Sequence, residues 1–160
     1  MQLTLTRKAG TPPRAPGLPA SVVVRPIQQA DLEAVGRLYW ASYPEGEVGD
    51  VADATADVRS SWDGEYGTWL HQASLLAEKN GSPIAAILTV DGPPWDDVSD
   101  LIFIIDLFTD PAHRRCGVGE MLVAAALSGL DPAPVVGLRV ESDNEPAVRL
   151  YRKLGFRDRT

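Results

Sequence analysis

The sequence predicts a single mixed α/β domain, and three features carry that expectation. The first is Lys79-Asn80-Gly81-Ser82, set between the apolar runs Ser74 to Glu78 and Pro83 to Val90. Asn-Gly readily takes the pair of positive φ angles that a tight antiparallel hairpin requires. The second is Leu101 to Phe108, an almost unbroken apolar run of the kind found in a strand covered on both faces. The third is the alternation that follows. Val118, Leu122, Ala125 and Gly129 recur at helical spacing, Val135 to Val140 reads as a strand, and Ala147, Leu150, Tyr151 and Leu154 form the stripe of a last helix ended by Gly155.

Upstream, Val22 to Val24 opens a β-branched run that stops at Pro26, and Asp31 stands where it would cap a helix through Leu32, Val35, Leu38 and Tyr39. Ala54 to Trp62 is compatible with a helix, which Gly64 and Gly67 would end. Residues 1–20 hold four prolines and two glycines without periodicity, so they read as a flexible segment, within which Leu3 to Thr6 alternates weakly enough to pair with a sheet edge. Residues 21–160 are then the folded domain.

A chain of 160 residues, 44% apolar and 23% charged, has the composition of an ordinary globular domain with one core. The net charge of −7, with no Lys/Arg run longer than Arg114-Arg115, argues against nucleic acid as a partner. A single cysteine, Cys116, permits neither an intrachain disulfide nor a cysteine-based metal site, and it suits a reducing, cytoplasmic setting. Apolar runs such as Leu101 to Ile105 are too short to span a bilayer, so no membrane association is expected, and the single cysteine gives no reason to expect a metal.

The chemistry concentrates in Leu101 to Leu122, LIFIIDLFTDPAHRRCGVGEML, in which a buried strand passes through a glycine loop into a helix. Glycines allow close approach of a phosphate, the first amides of the helix point at it, and the helix dipole adds about half a positive charge there. A P-loop is excluded because Gly119 is followed by Glu120 and Met121 rather than Lys-Ser/Thr. A dinucleotide fingerprint would need glycine where Leu122 stands.

Arg114, Gly117 and Gly119 fit Gln/Arg-x-x-Gly-x-Gly/Ala, and Asn144-Glu145-Pro146-Ala147-Val148-Arg149-Leu150-Tyr151-Arg152-Lys153-Leu154-Gly155-Phe156 fits Asn-x-x-Ala-x-x-Leu-Tyr-x-Lys-x-Gly-Phe. By these two motifs the chain resembles the GCN5-related N-acetyltransferase (GNAT) family from about Val22 to Phe156. The resemblance implies an α/β (α+β) fold with a mixed, largely antiparallel sheet flanked by helices, its central strands splayed into a coenzyme A cleft. It implies transfer of an acetyl group from acetyl-coenzyme A (acetyl-CoA) directly to a primary amine. Leu107, Phe108 and Thr109 would pair with the pantetheine through backbone groups, as an added strand does. Arg114 would belong to the phosphate loop, the amides of Arg115, Cys116, Gly117, Val118, Gly119 and Glu120 would surround the pyrophosphate, and Asn144 would both cap the last helix and touch the cofactor.

Tyr151 matches the family's tyrosine general acid. For the base, Arg139 occupies the position where some relatives carry glutamate, leaving Glu141, Asp106 or an ordered water. If the pleat alternates regularly, Asp106 shares a face with Ile104 and Phe108. The acceptor side would draw on Trp40, Tyr43, Glu45, Glu47, Trp62, Asp63, Tyr66, Trp69, Trp95, Asp96 and Asp97, aromatics and carboxylates suited to a cationic amine. A small amine is the expected acceptor; the alternatives are a protein N-terminus or lysine, or a module that senses acyl-CoA without turnover. Only Arg157 to Thr160 follow Phe156, so the last strand is rudimentary, or the sheet is completed by the N-terminal strap or by a partner in a homodimer, or the chain is truncated.

Overall fold

The computed structural model describes residues 1–12, 17, 19–132 and 134–159. Along the chain run β1 (Gln2–Lys8), β2 (Val22–Pro26), α1 (Leu32–Ser42), α2 (Val51–Trp62), β3 (Thr68–Trp69), β4 (Leu75–Lys79), β5 (Ser82–Asp91), β6 (Ile102–Thr109), α3 (Val118–Ser128), β7 (Val135–Glu141), α4 (Glu145–Lys153) and β8 (Arg157–Asp158). One sheet has the order β2-β4-β5-β6-β7-β1-β8, with β3 paired to β5 off this path. The β6–β7 pairing is parallel and the others are antiparallel. Asn80 and Gly81 turn the predicted hairpin with φ of 52° and 81°.

The sheet separates two layers. On one side α3 and α4 cover Ile102, Ile104, Leu122, Leu127, Leu138, Tyr151 and Phe156. On the other, α1 and α2 cover Leu76, Ala86, Leu88 and Phe108. The two helices of that layer touch at Gly36, where a Cβ would lie 2.2 Å from the Thr55 hydroxyl oxygen and 2.6 Å from its Cα. Only a residue without a side chain permits this crossing. Asp31 does not cap α1 as expected. Its carboxylate instead accepts from both terminal nitrogens of Arg25, at 2.7 and 2.8 Å, and from the Gln28 amide at 2.7 Å. Arg25 beside it holds the Asp31 carboxyl below its ordinary pKa.

Two irregularities shape the centre of the sheet. Leu88 pairs with Asp106 but Thr89 pairs with Ile104, so Ile105 is an extra residue in β6 and the alternation of faces reverses there. Ile104 and Leu107 consequently belong to the α3/α4 layer and Phe108 to the α1/α2 layer. This corrects the expectation of regular alternation: Asp106 lies on the Phe108 side and not with Ile104. The second irregularity is the shortness of the parallel pairing, which covers only Ile102↔Val136, Phe103↔Gly137 and Ile104↔Leu138. Beyond it β6 and β7 diverge, leaving a wedge between their C-terminal ends.

The expectation of a flexible N-terminal segment does not hold for Gln2–Lys8. This stretch is β1, paired along seven residues with β7 and through Leu5 and Thr6 with β8, and Leu5 is fully buried. Alternating Leu3 and Leu5 supply the apolar face that a strand needs to enter a sheet, and this signal outweighs the nearby prolines. Residues 13–16 and 18 of the segment lie outside the described residues. After Phe156 the chain forms the two-residue β8, and β1 lies between it and β7 in the sheet.

Candidate active site

The wedge between β6 and β7 opens into a cleft of about 1010 Å³, walled by the ends of both strands, the start of α3 and one face of α4. At its floor the chain leaves β6 through Asp110, whose amide donates to the Ile84 carbonyl at 2.8 Å. His113 Nδ1 lies 2.9 Å from the Asp110 carboxylate, bracing the single helical turn Pro111–His113. Arg115 and Gly117 then adopt positive φ, 65° and 78°. At Gly117 this conformation favours glycine, and a Cβ there would meet nothing within 4 Å, so the backbone faces open space.

The first helical hydrogen bond of α3 runs from the Met121 amide to the Gly117 carbonyl at 3.1 Å. The amides of Val118, Gly119 and Glu120 therefore have no intrahelical acceptor, and the positive end of the dipole lies at the mouth of the wedge. Val118 buries its side chain, offering only its backbone. At Gly119 a Cβ would make only ordinary contacts, 3.6 Å from Leu150 and 3.9 Å from Leu107, so the packing of β6 and α4 leaves room there for a small side chain. The Glu120 carboxylate, which would repel an anion, is paired with Lys153 Nζ at 2.9 Å.

The structure brings nearly all the predicted cofactor residues to this one cleft. Leu107, Phe108, Thr109, Arg114, Arg115, Gly117, Val118, Gly119, Glu120 and Asn144 all line it. Cys116 is exposed in the same loop, its thiol 3.6 Å from the Arg114 carbonyl. Two of these residues also hold structure. Arg114 donates to the Thr109 carbonyl at 3.3 Å and to the Ser42 carbonyl, tying the end of β6 to the end of α1. Asn144 caps α4, its side-chain oxygen accepting from the Ala147 amide at 3.4 Å. The Phe108 ring turns away to pack on Tyr39, with centroids 5.1 Å apart.

Two titratable groups face the cleft from opposite sides of the sheet. Tyr151, on the inward stripe of α4, is 7% exposed and set edge-on to Phe156 at 5.8 Å. Burial raises its pKa well above the ordinary tyrosine value, and the nearby Asp106 carboxylate adds to the rise, so Tyr151 keeps its proton at neutral pH. Asp106 enters from the α1/α2 side because of the β6 bulge. Its carboxyl is pushed up to about 7 by burial, against a hydrogen bond from Tyr43 that favours the charged form. The Tyr43 hydroxyl donates to Asp106 Oδ1 at 3.1 Å, and its ring packs edge-on against Tyr39 at 5.1 Å.

Glu141 also lines the cleft, but its carboxylate is exposed and lies 3.6 Å from the amino group of Met1. Of the residues expected on the acceptor side, Tyr43 and Glu47 reach the cleft. Trp62 and Trp69 pack together at 5.3 Å in the α1/α2 layer, and Trp40 donates to the Gly49 carbonyl at 3.1 Å. Trp95 and Asp97 gather around Arg139 instead. The hydrogen bond between Tyr43 and Asp106 is the contact in the cleft that sequence reasoning missed; it depends on the bulge, which has no marker in the chain. Among the described residues no group of three His, Cys, Asp or Glu could hold a metal ion, and no helix is long and apolar enough to cross a membrane.

Because the Tyr43 hydroxyl favours ionised Asp106, Tyr43→Phe should move any rate limb governed by that carboxyl to higher pH. A kcat/KM profile against pH checks this, and an unmoved limb would show that the contact has no bearing on the titration.

A parallel strand pair that splits beside the bare amides of a helix start defines an α/β protein built to hold an extended, phosphate-bearing ligand. Comparison with known proteins agrees. A model of the acetyltransferase (GNAT) family matches residues 32–156. The mycothiol acetyltransferase of Clavibacter sepedonicus is 32% identical over 152 residues, a match covering 88% of this chain and 44% of that protein. Among solved structures, a GCN5-related N-acetyltransferase from Sphaerobacter thermophilus superposes with a TM-score of 0.71 at 17% identity, over 99% of this chain and 48% of its own. An aminoglycoside N-acetyltransferase in complex with CoA superposes with a TM-score of 0.65 at 18% identity, over 87% of this chain and 90% of its own. The chain belongs to the acetyltransferase (GNAT) family. It spans under half the length of the mycothiol acetyltransferase that it matches.

Proposed function

We propose that this domain transfers an acetyl group from acetyl-CoA to a small cationic primary amine. The observation that carries the proposal is the wedge itself: it joins a free strand edge at Leu107 to Thr109, unpartnered amides at Val118 to Glu120, and the Tyr151 and Asp106 side chains in one cleft. The strand edge would pair with the pantetheine amides, and the helix start with Arg115 would take the pyrophosphate. Acetyl-CoA bound there supplies the activated acyl group.

The residues then divide the proton traffic. Asp106, ionised above about pH 7 and steadied by Tyr43, takes a proton from the acceptor's ammonium. The freed nitrogen lone pair forms the C–N bond to the acetyl carbon, the C–S bond breaks, and Tyr151 protonates the leaving thiolate. Both side chains end with their protons exchanged and are reset by solvent. Holding amine and thioester together contributes on the order of 7 to 11 kcal/mol, so a base of modest strength is sufficient. Glu47 and Asp106 on the acceptor side favour a cation. The 18%-identical structural neighbour is named for an aminoglycoside acceptor, which is compatible with a small polyamine-like substrate here.

Thiol release from acetyl-CoA across a panel of small amines, amino sugars and lysine peptides tests the proposal. Amine-dependent release with the compact amines is expected. Equal background with and without any amine would contradict it.

A further inference from the structure

We propose that Arg139 is a specificity-determining residue, the centrepiece of a rigid wall that limits the acceptor to compact amines and keeps polypeptide out; this rests on the acetyltransferase reading above. Arg139 projects from β7 on the same side of the sheet as Phe103, and it lines the cleft. Its guanidinium lies 5.8 Å from the Trp95 ring centre and 5.9 Å from that of Phe103, and it donates to the Asp97 carboxylate. Tyr66 stacks on Trp95 with centroids 6.4 Å apart and planes 14° from parallel. The array Tyr66, Trp95, Arg139, Phe103 thus bridges from the end of α2 to β7.

The loop that brings Trp95 and Asp97 to Arg139 is built to stay in place. Its base is closed by the Gly92 amide on the Leu101 carbonyl at 3.0 Å, and two successive turns follow, Val98 to Trp95 and Leu101 to Val98, each at 3.0 Å. Val98 and Leu101 are buried with Val90 and Phe103 as a small core of their own. A second ion pair, Asp100 with Arg159 at 3.2 Å, ties the loop's far end to the strand region after α4. A planar guanidinium stacked on rings and paired with a carboxylate is preorganised in a way that lysine cannot reproduce.

The wall stands at the edge of the acceptor side. Asp106 lies in the cleft with Tyr43 and Glu47 on one flank and Arg139 of β7 on the other. An extended chain bound along the diverging end of β7 would cross position 139, which Trp95 and Asp97 cap. A compact amine needs no such room. Exclusion by a built obstacle, rather than by weaker attraction, is a common source of specificity.

The test compares the parent with Arg139→Ala and Trp95→Ala, measuring kcat/KM for one small diamine and for one lysine-bearing hexapeptide, and CoA binding by calorimetry. The Trp95 change removes the ring that caps position 139 but keeps Arg139 and its ion pair with Asp97, so it reports on the wall even if loss of Arg139 impairs folding. A rise of tenfold or more in the peptide-to-diamine ratio in folded variant protein is expected. An unchanged ratio in variants that still bind CoA overturns the wall alone. Absence of CoA binding in the parent overturns the cofactor proposal and the wall with it.

Discussion

Asp106→Asn is expected to lower kcat by about 10² to 10⁴, the range lost when a general base is removed, while making the folded protein more stable above neutral pH. The two effects have one cause. Burial raises the Asp106 carboxyl to about 7 from an ordinary value near 3.8. The folded state therefore holds a proton that the unfolded state has released, throughout the window between those values. Stability contributed by the neutral carboxyl is present in full below about pH 4 and declines as pH rises toward 7. Above that the buried charge persists as a penalty on the order of a few kcal/mol. Asparagine keeps an acceptor for the Tyr43 hydroxyl and cannot ionise. Thermal melts at pH 5 and pH 8, beside steady-state rates, check this. A variant less stable than the parent at pH 8, or one that turns over at the parental rate, would remove Asp106 from the role of buried base.

Tyr151→Phe is the second large effect. The ring survives in its edge-on contact with Phe156 at 5.8 Å, and only the hydroxyl is lost. Folding and CoA binding should then stay close to parental, while turnover falls by about 10² to 10⁴ for want of an acid at the departing sulfur. The split between kcat and binding matters because Tyr151 is also a core residue with little exposed surface. A variant that fails to bind CoA would assign the tyrosine to architecture, and one with unaltered turnover would assign thiolate protonation to water.

The elements built from local signals were legible in the chain. Asn80-Gly81 fixes its own turn, the apolar run at Leu101 to Phe108 became the central β6, and Gly117 stands where the helix start needs a positive φ. What was not legible depends on pairing partners distant in sequence. The bulge at Ile105 arises from the register of β5 against β6, and it alone decides that Asp106 meets Tyr43. The place of Gln2–Lys8 beside β7 is likewise a tertiary choice, made by a strand whose own propensity is diluted by the prolines that follow. Asp31 shows the same competition on a smaller scale. Its cap position was readable, but Arg25 captured the carboxylate.

Everything proposed for the chemistry requires that the amides from Val118 to Glu120 and the open edge of β6 receive coenzyme A. Isothermal calorimetry of the purified domain titrated with CoA measures this directly. A saturable, one-site heat accompanied by a rise in melting temperature is the expected result. Flat heats and an unshifted melting temperature at millimolar CoA would contradict it.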